Sequence, residues 1–330
     1  MSQATVARTF ASPEKVSPAT KDKVHAAADR LGYVPNAIAS SLKSQRTGIV
    51  GAVMPSSGEY WQHVLSEFSR ELGVQGCQLL VFGFDDASAI DDVLETVRRY
   101  RLDGLVLASS IINPAVLGAM HQHGVPIVAF NQPAANGVVP SVSVDNEAGS
   151  ASLADHLVAR GVTSVLYVGG DQSASTDQAR YVGAARQLGE YGIALPYFSA
   201  GSFDYTAGYV IAAELIEHGP LPGALMVASD ELAFGVVDGL RSAGVVIPDD
   251  VMVTGFDGLP QAGWAGYDLT TLVQPTRQLA ATAVRTLLED VGPGPFVVAG
   301  DVRDGATTRI TVVTDDDDTF TPAPRSTEDR

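Results

Sequence analysis

The sequence predicts an α/β protein of two successive units, each a parallel sheet flanked by helices, behind a small all-α head. Three observations lead there. From Thr47 onward short apolar runs alternate with helical stretches; the runs are too short for helices and lack strict alternation, as strands buried on both faces do. Strand, helix, strand in repetition implies right-handed crossovers and a parallel sheet. The cycle restarts after Asp145, and 330 residues exceed what one core needs.

The head comes first: a polar start, a short helix over 3–10, a turn at Pro13 and a longer helix over 18–31. Gly32-Tyr33-Val34-Pro35-Asn36 then leads into the segment 35–42, whose eight residues are too few for a stable helix in water. It is expected to order only when held. The first unit has strands at 49–54, 78–82, 104–108 and 126–130, with helices near 60–72, 90–100 and 114–122. The second has strands at 164–168, 197–200, 224–228 and 251–255, with helices near 147–160, 178–191, 206–217 and 232–243. After Gln274-Pro275 come a helix at 276–289 and a strand near 295–298. The tail 315–330, with four consecutive aspartates and two prolines, is expected to be disordered, and it carries no leucine heptads.

Composition narrows the class. Hydrophobic content of 45% with 18% charged residues is that of a globular chain. No stretch has the length of a membrane span and no basic-then-apolar signal segment opens the chain, so no membrane partner and a cytoplasmic location are expected. A single cysteine excludes an intrachain disulfide, and Cys77 is read as a buried strand residue. The net charge of −17 argues against nucleic acid, but its distribution does not: residues 1–47 hold seven basic and three acidic groups, +4, leaving −21 for the rest. A small basic head on an acidic body suits a DNA-contacting module joined to something with another task, though a solvated helix surface would read the same way.

The order SQATVAR, VSPATKDKV, LGYVPNAIASSL resembles the lactose-repressor (LacI/GalR) family of bacterial transcription regulators. Further strings extend the resemblance over nearly all of 48–314: Val144-Asp145-Asn146, Gly169-Gly170, Arg180 with Gly183, ASDELAFG from Ala228, VIPDDV from Val246, Gly255-Phe256-Asp257 and LTTLVQP from Leu269. The resemblance implies a helix-turn-helix head over 1–34, a hinge helix and linker over 35–47, and a periplasmic-binding-protein-like core of two doubly wound subdomains. These would take 48–145 plus 275–298 and 146–274 plus 299–314. The return of the chain to the first unit after Pro275 is likewise an implication of the resemblance. In the family another helix and a Gly-Val turn precede the position of Ser2, so the head as it stands is incomplete. Met1 occupies a place usually held by valine, and the expectation is a start upstream with in-frame codons for that helix; the rival is a true truncation.

On the DNA side, Ser2 can cap the recognition helix, and the resemblance puts Gln3 and Ala4 at base-reading positions with Arg8 one turn on. Gln suits an adenine edge and Arg a guanine edge, whereas Thr5 and Ser17 are better placed for phosphates. In the hinge, Leu42 matches the leucine that wedges a minor-groove step, with Asn36 and Ala39 on the same face. On the other side, ligands of open α/β sheets bind beyond the carboxyl ends of strands. Candidates there are Tyr60, Trp61, Ser109, Asn131, Arg180, Phe203, Ser229, Asp230, Asp257 and Gln274. Charged and amide groups would take adjacent hydroxyls, and aromatic faces the C–H surfaces, of a sugar or sugar derivative, with purines and other metabolites left open. Asp230 suits a helix cap as well as a ligand.

The expectation is a dimeric, ligand-controlled repressor on a near-palindromic operator, with no cofactor and no metal. Alternatives are a sensor whose incomplete head does not bind DNA, and a solute-binding protein, against which the absent signal segment and the hinge weigh. No phosphate-binding, nucleophile-elbow or metal-spacing motif points to an enzyme. His63, His121, His123, His156 and His218 are read as surface helix residues and His25 as part of the head.

Overall fold

The structure is a computed structural model describing residues 1–11, 13–33, 46–85, 89–108, 125–132, 139–289 and 291–309. The segment 34–45, Ser109, the expected helix at 114–122, His121, His123 and the tail lie outside the described residues.

The head holds α1 (Gln3–Ala11) and α2 (Pro18–Leu31). Proline at the first turn of α2 costs no hydrogen bond, and Gly32 closes it in the left-handed conformation at φ 61°, its N–H bonding the last turn. Thr9 and Val24 are buried between the helices, and Phe10 meets His25 edge-on at 5.3 Å.

The core strands are, in chain order, β1 (Ile49–Pro55), β2 (Gln78–Phe84), β3 (Gly104–Ala108), β4 (Ile127–Phe130), β5 (Ser141–Val144) and β6 (Val165–Gly169). Then follow β7 (Tyr197–Ser199), β8 (Ala224–Val227), β9 (Met252–Asp257), β10 (Thr270–Val273), β11 (Pro295–Val298) and β12 (Asp301–Arg303). They form two six-stranded sheets, β11-β5-β4-β3-β1-β2 and β12-β10-β9-β8-β6-β7. The first is parallel throughout; the second gains an antiparallel edge where β12 pairs with β10, a departure from the purely parallel expectation. Three strands have no apolar run to announce them. β5 alternates Ser and Val, β10 carries two buried threonines, and β12 is three residues long.

Helices α3 (Glu59–Val74), α4 (Ile90–Val97), α5 (Asn146–Val158), α6 (Ser175–Glu190), α7 (Tyr205–Glu217), α8 (Asp230–Ser242) and α9 (Thr276–Leu288) cover the sheets. β3 and β4 are buried at every residue, as their continuous apolar runs require. Glycines bring helices together where a side chain could not fit: a Cβ on Gly183 of α6 would lie 2.2 Å from the Glu147 carbonyl of α5.

Two expectations are corrected. Cys77 precedes β2 and is half-buried, because the chain enters the strand only at Gln78. His156 is half-buried rather than superficial: its Nε2 lies 2.9 Å from Thr308 Oγ1 and its Nδ1 3.1 Å from Arg160, since the segment after β12 folds back over α5. Burial and the Arg160 charge push its imidazole below the usual range.

Candidate functional site

Each sheet reverses its strand order beside its first strand, between β1 and β3 and between β6 and β8, and such switch points open crevices at the carboxyl ends. A cavity of about 420 Å³ lies there, walled by both sheets. Its volume is in the range that holds a small molecule, roughly 300–1,000 Å³.

The polar floor comes from the second sheet. Arg180 sits on the inner face of α6, only 4% exposed. Its Nε donates to Asn146 Oδ1 at 2.8 Å, Nη1 to the Ala228 carbonyl at 2.6 Å and Nη2 to Asp257 Oδ1 at 3.4 Å. Its planar head lies 3.8 Å over the ring of Phe256, a stacking that a lysine could not reproduce. Asp257 ends β9 with φ 133°, a conformation that L residues rarely adopt and that clusters at binding sites. Gln274 donates to Asp257 at 2.7 Å and accepts from the Tyr60 hydroxyl at 3.1 Å. One hydrogen-bonded chain thus runs from α3 of the first lobe to Arg180 of the second. Burial, reinforced by the Asp257 charge, drives the Tyr60 phenol far above its ordinary range, so it stays a donor.

Aromatic walls face this floor. Trp61 meets Tyr60 edge-on at 5.1 Å at the start of α3, where Gly58 turns the chain with φ 105°. Phe203 rests flat on Gly170, where an added Cβ would lie 2.5 Å from the ring. Ser229 accepts from Leu232 N–H at 3.3 Å, capping α8, and donates to the Phe203 carbonyl at 3.3 Å. Asn131 follows β4 with φ 59° and lines the cavity.

Of the residues expected here, the structure gathers Tyr60, Trp61, Asn131, Arg180, Phe203, Ser229 and Asp257 around one cavity. Ser109 lies outside the described residues. Gln274 is one layer behind, buried at 4% exposure and reaching the cavity only through Tyr60 and Asp257. Asp230 is a correction. Fully buried, it accepts from Leu259 N–H at 2.7 Å and Thr271 Oγ1 at 2.5 Å; it neither caps α8 nor meets the cavity. It braces the loop after β9, in space left by Gly255, where a Cβ would lie 2.3 Å from its carboxylate. Burial first, then the neighbouring Asp257 charge, raises its carboxyl; burial also raises Asp257, against the pull of Arg180.

Residues that sequence reasoning missed are Asp85, Asp171, Asp204 and Glu231 at the rim, with Thr176. Their only signal was position just past strand ends or at helix starts. Glu231 also touches the other lobe, accepting from the Glu59 N–H at 2.9 Å, while Glu59 accepts from Gln261 at 2.8 Å. Among the described residues no group of three or more His, Cys, Asp or Glu could hold a metal ion, and no helix could cross a membrane.

In the head, Ser2 caps α1 as expected, accepting from Thr5 N–H at 3.2 Å, and the two hydroxyls bond each other at 2.9 Å. Gln3, Ala4 and Arg8 are exposed on α1. Ser17 is exposed at the start of α2, its hydroxyl bonded to Thr20 at 2.9 Å. Asn36, Ala39 and Leu42 lie outside the described residues.

Comparison with known proteins agrees in both parts. Residues 47–313 match the model of periplasmic binding proteins and the sugar binding domain of the LacI family, and residues 1–36 that of bacterial regulatory proteins of the lacI family. Catabolite control protein A of Priestia megaterium is 27% identical over 292 residues, covering 87% of this chain and 88% of its own. A putative LacI-family repressor from Corynebacterium glutamicum superposes with a TM-score of 0.68 at 27% identity, over 80% of this chain and all of its own. A lac repressor dimer solved with operator and an anti-inducer superposes with a TM-score of 0.80 over 93% of this chain and 96% of its own; at 21% identity it speaks for the fold alone.

Proposed function

This chain belongs to the lacI family of bacterial regulatory proteins, and from that membership we propose that it is a repressor that binds a sugar or sugar derivative between its lobes and releases or engages operator DNA in response. The observation that carries the reading is the cavity at both sheet switch points, where an Arg180–Asp257–Gln274–Tyr60 network faces Trp61 and Phe203. Planar polar groups opposite aromatic faces are what a hydroxylated ring requires.

The signal would leave through the linker that enters β1. Asp103 clamps that entry, accepting from Thr47 N–H at 2.7 Å, Thr47 Oγ1 at 3.0 Å and Gly48 N–H at 2.8 Å. Burial opposes its ionisation, but these hydrogen bonds outweigh burial and hold the carboxyl below its usual range. Movement of the first lobe is therefore passed rigidly to residue 47. In our reading 35–47 forms the hinge, with Asn36, Ala39 and Leu42 toward the minor groove and Gln3, Ala4 and Arg8 toward base edges, in a homodimer on a near-palindromic operator. Effector would act by population shift between two lobe arrangements, typically a 5- to 150-fold change in DNA affinity or about 1–3 kcal/mol.

Selection from random duplex DNA with the full chain tests this. Enrichment of a near-palindrome, with loss of selectivity in Gln3→Ala and Arg8→Ala, is the expected result. Enrichment of no sequence would remove the repressor role and leave a ligand sensor.

A further inference from the structure

We propose that the effector is a cation, a hydroxylated small molecule bearing a protonated amine, of the amino-sugar class. The proposal rests on the reading of the cavity as the effector site and adds the charge of its occupant. Five carboxylates line the cavity, Asp85, Asp171, Asp204, Glu231 and Asp257, against the single guanidinium of Arg180, a formal excess of four negative charges. Arg180 is itself committed: its three nitrogens bond Asn146, the Ala228 carbonyl and Asp257, and it is 4% exposed. It offsets Asp257 and leaves the rim uncompensated.

Three of the four rim acids have structural partners among the described residues, all neutral. Asp171 accepts from Ser173 N–H at 2.8 Å and its hydroxyl at 2.7 Å. Asp204 accepts from Ala207 N–H at 2.8 Å and the Ser202 hydroxyl at 2.6 Å; these bonds hold its carboxyl low and charged. Glu231 accepts from Glu59 N–H, and burial, followed by the charges of Glu59 and Asp204, raises its carboxyl. Neutral donors orient a carboxylate without cancelling its charge.

An independent observation comes from the end of β4. Asn131 is 6% exposed and lines the cavity, and among the described residues its buried Oδ1 has no hydrogen-bond partner. Native proteins rarely leave a buried acceptor without a donor, and no described residue supplies one here, so this atom is open to a donor from a ligand. An ammonium brings three donors and no acceptor, and the faces of Trp61 and Phe203 suit a cation as well as a sugar ring. General acidity of the chain would account for scattered surface carboxylates; it does not account for an orphaned acceptor in the same cavity. Phosphorylated and carboxylated ligands are disfavoured by the same field.

Calorimetric titration of the full chain with D-glucosamine, D-galactosamine and D-mannosamine tests this at neutral pH, where the amines are largely protonated and the cavity carboxylates largely ionised. Each is run beside its parent hexose and its N-acetyl derivative. The expected result is one amine binding roughly tenfold or more tighter than both counterparts, a modest effect for a single charge at close range in a partly buried site. In Asp85→Asn/Asp171→Asn that preference should narrow severalfold. Neutral sugars equal to or tighter than every amine overturn the cation while leaving the sugar site standing. Binding by no member overturns both. Amine preference undiminished in the double variant overturns the role of the rim carboxylates.

Discussion

The two lobes share one strand order yet contribute unequal chemistry to the cavity between them. The first presents Tyr60, Trp61, the amide of Asn131 and the carboxylate of Asp85; the second presents Arg180, Asp257, Asp171, Asp204, Glu231 and the ring of Phe203. The second lobe's groups are held by its own buried hydrogen bonds before any ligand arrives, with Gln274 and Asp230 behind them. The first lobe's aromatic groups are held by packing at the start of α3. A duplicated topology sets where a site lies, and loop and helix-start residues decide what it does. The pairing suits a rigid polar half that orients a ligand and an aromatic half that closes on it.

Breaking the second lobe should cost most. Arg180→Met removes the cation facing Asp257 and leaves buried carboxylates uncompensated. About 3–5 kcal/mol of stability should go, as when one partner of a buried pair is deleted. Denaturant unfolding followed by circular dichroism would register it; a midpoint unchanged from wild type would mean the second lobe does not depend on this network.

A subtler perturbation is pH. Asp230 and Asp257 both have folded-state affinities for protons above those of the unfolded chain. The folded state therefore binds more protons, and stability is lost as pH rises from near 4, the ordinary carboxylate value, toward about 7. Asp230→Asn keeps an acceptor for Leu259 N–H and offers an amide N–H to Thr271 Oγ1, which turns from donating to accepting, while discarding the charge. Relative to wild type it should gain stability with increasing pH across that window. Parallel melting curves at several pH values would show it, and a constant difference between the two proteins would argue that Asp230 is ionised in both states.

The smallest stability effect belongs to the first lobe. Trp61 is only half-buried, so Trp61→Ala should change the melting temperature little while weakening the effector roughly tenfold or more, as loss of an aromatic anchor does. If stability fell as far as in Arg180→Met, the division between a rigid polar half and an adaptable aromatic half would fail.

How far the site was readable from sequence differs by residue for a physical reason. Asp257, Trp61 and Phe203 stand beside glycine-marked strand ends, Arg180 lies on the helix that follows one, and strand ends of a parallel sheet converge whatever the rest of the chain does. Asp230 and Glu231 show the limit. Consecutive positions on a helix point about 100° apart, from 3.6 residues per turn, so one turns inward to Thr271 and the other outward to the cavity and to Glu59. No local pattern separates two acids side by side. Gln274 likewise read as a ligand, yet β10 buries it and makes it a relay.

The sequence by itself determined the alternation of strands and helices, the number of α/β units, the helices of the head and the capping of α1 by Ser2. These depend on apolar runs, prolines, glycines and neighbours a few positions apart. Tertiary structure alone decided the antiparallel edge strand β12, the burial of His156 by the segment after it, the gathering of five carboxylates on one cavity and the oxygen of Asn131 left unpartnered among the described residues. Each of these is a meeting of residues far apart in the chain. Such contacts are set by how whole lobes pack and how charge and solvent are excluded between them, which local preference does not encode.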